Sequence, residues 1–383
     1  MKDESVPSRD GFAASRARAG VAIHYDGDER IPLILRHSAV RTAAKDWQTF
    51  SSNAPFRVPI PSEEGVRSFR QIPIEFDPPS HTHYRKLIEP WFLRPLKADY
   101  IQQLDKLVAN ALEDLRTESE HEVVAGFALQ LQSRALALLL GVPQSDAEIW
   151  VNWGRSLYRD GDGGAKNQQL DAYISERFSE ARAKPEAENL FSFLSHREIG
   201  GRKLSAEECS GIANLVFAGG RDTVINTIAE IIAHFCSHPA DAKAIADEPR
   251  LAISATEEFV RATSPLTIIA RKCPAGAHLG TETVEPGKRI GLCWAAANHD
   301  PNVFDKPEMI RIDRKPNPHL GFGSGVHNCL GSAHARGLLR SLIRQFCTLP
   351  ERPRIIEATP AVERFGEASR RVGYDRLMVR FGV

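Results

Sequence analysis

Apolar residues recur three and four positions apart through Leu104, Leu107, Val108, Leu112 and Leu115, a spacing that lines one face of a helix. The run FALQLQSRALALLLGVP (127–143) continues that pattern and reads as a core helix stopped by Gly141 and Pro143. Short apolar runs at 21–26 (VAIHYD) and 31–36 (IPLILR) predict a hairpin, followed by a helix around His37 to Lys45. Residues 51–76 are rich in Pro, Ser and Arg with weak periodicity, which predicts a long loop, and ordered long loops tend to be functional. Two amphipathic segments within 150–187 flank RDGDGGAK (159–166), a connection whose glycines and charges suit mobility. SPLTIIA (264–270) predicts a strand, and Pro286-Gly287 a hairpin turn.

The longest predicted helix starts at a capping box, Ser205 with Glu208, and runs until Pro239 forbids continuation. That is about 30 residues, or about 45 Å. Its middle reads AGGRDTVIN (218–226), and each interior glycine costs about 1 kcal/mol against alanine. Either another helix packs closely there or a ligand needs the space. Thr223 lies one turn after Gly219 and can donate to its carbonyl, loosening the helix, while Asp222 points to the opposite side, where it can relay protons from solvent.

Composition adds bounds. The 383 residues are 42% hydrophobic and 26% charged, ordinary for a globular chain large enough for one extensive core, so 1–383 is expected to form a single domain. A formal net charge of zero gives no global attraction to nucleic acid. No apolar run reaches the ~20 residues of a bilayer span, and the charged N-terminus MKDESVPSRDGF lacks a signal-like segment, so a cytoplasmic protein without a membrane partner is expected. The six cysteines (Cys209, Cys236, Cys273, Cys293, Cys329 and Cys347) show no metal-binding or covalent haem-attachment spacing, which fits free thiols in a reducing compartment.

One cysteine stands apart. In FGSGVHNCLG (322–331), Cys329 precedes an apolar run at helical spacing (Leu338, Leu339, Leu342, Ile343, Phe346), placing it near a helix N-terminus, where the helix dipole and free N–H groups favour a thiolate. Gly323, Gly325 and Gly331 would let the backbone turn sharply and something large approach. A thiolate beside open space suits an axial haem ligand.

The pattern Phe-Gly-x-Gly-x-His-x-Cys-x-Gly resembles the haem-binding loop of cytochrome P450 monooxygenases. Three further elements follow the family's order: DPPSHTHYR (77–85), Gly-Gly-x-Asp-Thr (219–223), closest to the camphor hydroxylase type, and ExxR at Glu258 and Arg261. The resemblance covers the chain from about Asp77 to the C-terminus. It implies a mainly α fold with small β-sheets, a triangular helix-rich single domain around a long central helix, with an N-terminal and a central small β region. The implied cofactor is haem b (iron protoporphyrin IX), bound by Cys329 as metal ligand, with Phe322, Gly323 and Gly331 shaping its loop and His81, Arg85, Arg271 and His319 holding the propionates. Asp222 and Thr223 would be the catalytic pair that manages protons. Glu258, Arg261 and Arg314 would hold the cysteine loop structurally. Pocket positions would be Leu215, Ala218, Gly219, Leu266, Ile268, Ile269 and Phe365, all small or apolar.

The implied reaction inserts one atom of O2 into a small or medium apolar substrate, a terpenoid or an aromatic compound, by hydroxylation or O-dealkylation. Arg57, Arg67 and Arg70 in the long loop keep an aromatic or fatty acid open. Electrons would come from a separate ferredoxin and an NAD(P)H-dependent ferredoxin reductase, docking on a basic patch of Arg85, Lys86, Arg336 and Arg340, with the enzyme itself a monomer. Two other readings stand beside this one. Arg221 favours a peroxide-driven fatty-acid peroxygenase that uses an arginine in this helix to bind the carboxylate, although the Asp-Thr pair argues against it. A non-catalytic haem carrier or sensor gives no reason for Gly219, Gly220, Asp222 and Thr223 to coincide.

Overall fold

The computed structural model describes residues 7–117, 119–155, 163–280 and 282–382. The predicted hairpin forms as β1 (Val21–Asp26) and β2 (Glu29–Ile34), antiparallel with Asp26 opposite Glu29. No helix or strand forms from 52 to 79, after which the chain enters α1 (Ser80–Phe92), α2 (Ala98–Asp114), α3 (Leu129–Leu140), α4 (Ser145–Asn152) and α5 (Gly163–Ala183). Gly141 ends α3 at φ 72°, a left-handed conformation that glycine adopts without a Cβ penalty. A π-helical turn, Val123–Ala128, precedes α3. Together they form the one run among the described residues long and apolar enough to cross a membrane, and most of it is buried inside the protein. The first part of the 159–166 connection and the first six residues of the chain lie outside the described residues.

The long central helix is two helices, α6 (Ala206–Gly220) and α7 (Asp222–Ser237), broken at Arg221 (φ −102°, ψ −79°). Its predicted start is observed: Ser205 Oγ accepts from Glu208 N at 3.1 Å, and the Glu208 carboxylate accepts from Ser205 N at 2.6 Å. The chain continues through α8 (Leu251–Thr263), β3 (Ile268–Lys272), β4 (Arg289–Cys293), α9 (Ser332–Cys347) and the hairpin β5 (Arg354–Phe365) with β6 (Ala368–Arg380). One sheet has the order β1-β2-β4-β3, with β2 and β4 parallel, Leu33 opposite Gly291. A second sheet joins β5, β6 and the short strand Glu120–Glu122. Pro286-Gly287 forms a turn, but the strands on either side of it do not pair with each other: Glu282–Val284 pairs with Ala277–Leu279, and β4 pairs with β3 and β2.

The main core gathers Leu104 and Val108 of α2, Ile228 and Ile232 of α7, Phe259 of α8 and Leu342 and Phe346 of α9, all nearly or fully buried. Each side chain of this size contributes about 1.5–3 kcal/mol on burial. An aromatic cluster seats α4 and α5 on α6, with Trp150 5.1 Å from Phe217 and 5.7 Å from Tyr173. These two clusters fix the broken helix from both sides.

Candidate functional site

A cavity opens beside the break in the central helix. One wall is the 321–331 loop. Cys329 N–H donates to Phe322 O at 2.8 Å, folding the loop back on itself, and Arg85 Nη1 donates to Asn328 O at 2.7 Å. The glycines divide the work. Gly331 caps α9 and faces the cavity, where an added Cβ would meet nothing within 4 Å. Gly325, at φ 75°, instead packs against the C-terminal end of the N-terminal helix His37–Ala43, where a Cβ would sit 2.4 Å from Ala44 O. Gly323 (φ 73°) lines the cavity as the turn residue. Phe322 lies 4.2 Å beneath the Arg336 guanidinium.

Cys329 faces the cavity. Burial pushes its thiol pKa up, while the Gly331 N–H, Arg85 and Arg336 pull it down. Proximity to the start of α9 does not by itself produce a thiolate. The anion needs a cation to receive it.

His81, Arg85, Arg271 and His327 bring nitrogen donors to the cavity wall. His81 is 2% exposed, and its pKa is lowered to about 4 by burial, with the Arg85 charge acting the same way and Asp77 opposing. His327 is lowered well below 6.5, again by burial first and then by Arg271, His81 and Arg85. Arg271 is buried and lowered to about 10 by desolvation, and its hydrogen bond runs to its own Ala270 carbonyl. These groups point into the cavity without an acidic side chain hydrogen-bonded to them among the described residues. His319 does not belong to this set. Its Nε2 lies 3.0 Å from Glu257 and its Nδ1 accepts from Gly321 N, so both nitrogens are engaged outside the cavity. His327 takes its place on the rim; the histidine inside FGSGVHNCLG was part of the motif and was not singled out.

Across the cavity, Thr223 Oγ1 donates to Gly219 O at 3.1 Å, as its spacing predicts. Thr223 and Gly219 line the cavity, and a Cβ on Gly219 would meet nothing within 4 Å. The glycine therefore opens space for a ligand and does not admit a packed helix. Asp222 sits beside Thr223 but outside the cavity wall. Arg221 is also outside: its guanidinium donates to the Trp150 and Gly154 carbonyls. It does not present a carboxylate-binding group to the cavity, which removes the support it gave to the peroxygenase reading.

Leu215, Leu266 and Ile269 line the cavity as expected, joined by Ile72, Ile74, Leu136, Leu139, Val216 and Trp294. Ile268, Ala218 and Phe365 do not. Strand alternation turns Ile268 to the opposite face of β3, against Leu33, and Phe365 packs on Phe12 and His24. The loop arginines are structural. Arg67 is fully buried against Glu75 and donates to Phe69 O at 2.6 Å, Arg57 pairs with Glu29, and Arg70 lies over Phe76 and bonds the Glu75 carbonyl. Glu75 also accepts from Phe56 N and Gln71 N, while Gln71 and Ile72 bond α6 at Asn214 and Gly211. The loop bearing Ile72 and Ile74 is thereby clamped to the central helix. An apolar Ile-Pro-Ile in a polar loop was the available signal.

Behind the cysteine loop, Glu258 receives Arg261 Nε and Nη2, both at 2.8 Å, and Arg314 Nε at 2.9 Å. Glu258 and Arg261 are 0% exposed and Arg314 4%; Glu258 also accepts from Arg311 N and Asn317 Nδ2, and the arginines reach the Asn298, Pro307, Asp305 and Met309 carbonyls, so the three buried charges are held by a dense set of bonds.

The cytochrome P450 family model matches residues 250–346, from α8 through the cysteine loop into α9. A solved structure described as "a carbohydrate active P450" is 39% identical, with a TM-score of 0.94, and the match covers 99% of this chain and all of that one. This chain belongs to the cytochrome P450 family. Among P450 relatives, the vitamin D(3) 25-hydroxylase of Pseudonocardia autotrophica is 29% identical over 89% of this chain and 86% of its own. The biotin biosynthesis cytochrome P450 of Bacillus subtilis (strain 168) is 28% identical over 77% and 78%. The P450 is thus an oxidoreductase of the monooxygenase class, and haem is its cofactor. The residues present fit that group: a cavity-facing thiol, two glycines whose missing side chains leave open volume, and a rim of unsatisfied imidazoles and a buried guanidinium suited to two carboxylates.

Proposed function

We propose that this P450, acting as a single domain over residues 1–383, oxidises a small organic molecule that presents an alkyl group to an aliphatic pocket. The observation that carries the reading is the pairing of Cys329 on one wall of the cavity with Gly219 and Thr223 on another. Cys329 would hold haem by its sulfur, and His81, Arg85, Arg271 and His327 would hold the propionates, each charge-assisted bond contributing about 1.5–3 kcal/mol. When bound, haem supplies dioxygen activation, so that one oxygen atom enters a C–H bond and the other leaves as water with two electrons and two protons. Thr223 gives its own proton to Gly219 O and so meets the cavity as an acceptor, holding a protonated partner in place. Asp222, one residue earlier on the outer side, would pass protons inward.

Leu215, Leu266 and Ile269 exclude water from the reacting carbon and offer no charge to a substrate carboxylate. Oxidation of a carbon next to an ether oxygen gives a hemiacetal that breaks to an alcohol and an aldehyde, so hydroxylation and O-dealkylation share this pocket. A second reading concerns the rest of the substrate. The 39% identical relative is described as carbohydrate active, which favours an alkyl group carried on a carbohydrate over a terpenoid or free aromatic compound.

Electrons are supplied by a separate ferredoxin and its NAD(P)H-dependent reductase in the cytoplasm. Of the expected basic patch, Lys86 remains available as a docking charge on the cysteine side, whereas Arg85 is engaged with Asn328 O and Glu89, and Arg336 and Arg340 lie against Glu257. In the reduced, carbon monoxide-treated protein, Cys329→Ser is expected to abolish the absorbance band of thiolate-ligated haem; a retained band refutes the assignment. A Soret spin-state titration against methyl ethers of monosaccharides, monoterpenes and anisoles separates the substrate classes. The carbohydrate reading fails if only the latter two shift the band.

A further inference from the structure

Arg221 interrupts the central helix with a buried cation, 2% exposed, between Gly219-Gly220 on one side and Asp222-Thr223 on the other. Its backbone and its side chain cap two different helices. The Arg221 carbonyl accepts from Val224 N and Ile225 N, both at 3.1 Å, which starts α7. Its Nη2 donates to Trp150 O at 2.8 Å and Gly154 O at 2.6 Å, carbonyls at and just beyond the last turn of α4, where helical partners run out and the dipole favours a cation. The guanidinium also lies 5.9 Å from the Trp153 ring.

Two neighbouring bonds hold the same joint. Gln132 of α3 donates to Gly220 O at 2.8 Å, taking the last carbonyl of α6 before the break. One turn into α7, Asn226 Oδ1 accepts from Arg155, whose other nitrogen reaches Tyr374 O, both at 2.9 Å. The break is therefore fastened by side chains on both sides of Asp222 and Thr223, and Arg221 is the fastening adjacent to them.

We propose that Arg221 is a positioning residue for proton delivery: by capping the end of α4 it fixes the start of α7, and so sets the Thr223 hydroxyl that faces the cavity. It touches neither cofactor nor substrate. This rests on the proposed role of Thr223, and the Cys329-dependent carbon monoxide spectrum, which Arg221 variants retain, separates its failure from failure of the haem-thiolate reading.

The test uses the haem-loaded protein and methylamine, whose nitrogen ligates haem iron and whose N–H groups need an acceptor such as Thr223 Oγ1. Arg221→Met is expected to weaken methylamine binding ~3-fold to 10-fold, the size of one hydrogen bond, and Thr223→Val by a similar factor. The double variant is expected to be no weaker than either alone, because both remove the same contact. Amide exchange at Val224 and Ile225 should rise ~10-fold in Arg221→Met, with α8 and α9 unchanged. Arg221→Lys, which keeps the charge with fewer oriented donors, should recover part of both effects, and it replaces the methionine variant if that one does not load haem. Unchanged exchange at Val224 and Ile225, unchanged methylamine affinity, or factors that multiply in the double variant would each overturn the proposal.

Discussion

The imidazoles of His81 and His327 meet edge to face with ring centroids 4.3 Å apart, and neither nitrogen of either ring has a hydrogen-bond partner among the described residues. Two buried, unsatisfied rings in contact cost stability that a bound anion can recover. In the haem-free protein, burial holds His81 neutral down to about 4 against an ordinary 6.5. The unfolded chain then binds a proton that the folded one refuses, so stability falls as pH drops from about 6.5 toward 4, by about 3 kcal/mol at most. Urea midpoints of the haem-free protein across that range should show the loss for wild type and a smaller one for His81→Gln. Haem propionates should move the His81 titration upward, which NMR of the ring protons reads.

Gly331 and Gly325 predict opposite outcomes when a side chain is added. Gly325→Ala combines positive φ with a 2.4 Å clash against Ala44 O and should destabilise the fold by about 2 kcal/mol or more. At Gly331 an added Cβ meets nothing within 4 Å and φ is −81°, so in Gly331→Val the haem-free fold should keep its stability within about 0.5 kcal/mol. The added side chain enters the cavity, and haem retention on a desalting column should fall. Equal haem retention in Gly331→Val and wild type would contradict the assignment of that space.

The Arg67–Glu75 pair predicts a structural rather than a substrate phenotype. Arg67→Met leaves the fully buried Glu75 charge without its main partner, a loss of about 3–5 kcal/mol in a denaturant titration. Substrates with and without a carboxylate should lose affinity alike, since Ile72 and Ile74 move with the loop. A selective loss for acids would restore Arg67 as a substrate contact.

Glu257 governs acid stability near the cysteine loop. Burial raises its pKa, but hydrogen bonds from His319 and Arg336 win and hold it at about 2, below its ordinary 4.5. The stabilisation is full above about 4.5 and is lost as pH falls toward 2, amounting to about 3 kcal/mol at most. Glu257→Gln should be less stable than wild type at pH 6, and the gap should close by pH 2 in thermal melts.

Much of this site was legible because its chemistry constrains short segments. Cys329, Gly331, Thr223 and Gly219 are read from local spacing, and the structure gathers them on one cavity. Ser205 with Glu208 and Glu258 with Arg261 are likewise contacts three residues apart, visible in any helix. What escaped depends on partners distant in sequence. His319 was misassigned because nothing local says that Glu257 takes both it and Arg336. Ile268 and Phe365 were placed in the pocket on polarity alone, and only strand register decides which face of β3 meets the cavity. The break at Arg221 was invisible because its guanidinium finds its acceptors, the Trp150 and Gly154 carbonyls, about 70 positions earlier.

The parallel register of Leu33 against Gly291 has a consequence for how the chain is made. During synthesis, the β1–β2 hairpin leaves the ribosome long before β4 exists to cover the edge of β2, so these strands must wait for one made about 250 residues later. Such pairing between remote segments slows folding and leaves an open strand edge available to the wrong neighbour. Yield of folded protein should therefore depend on growth temperature and chaperone supply.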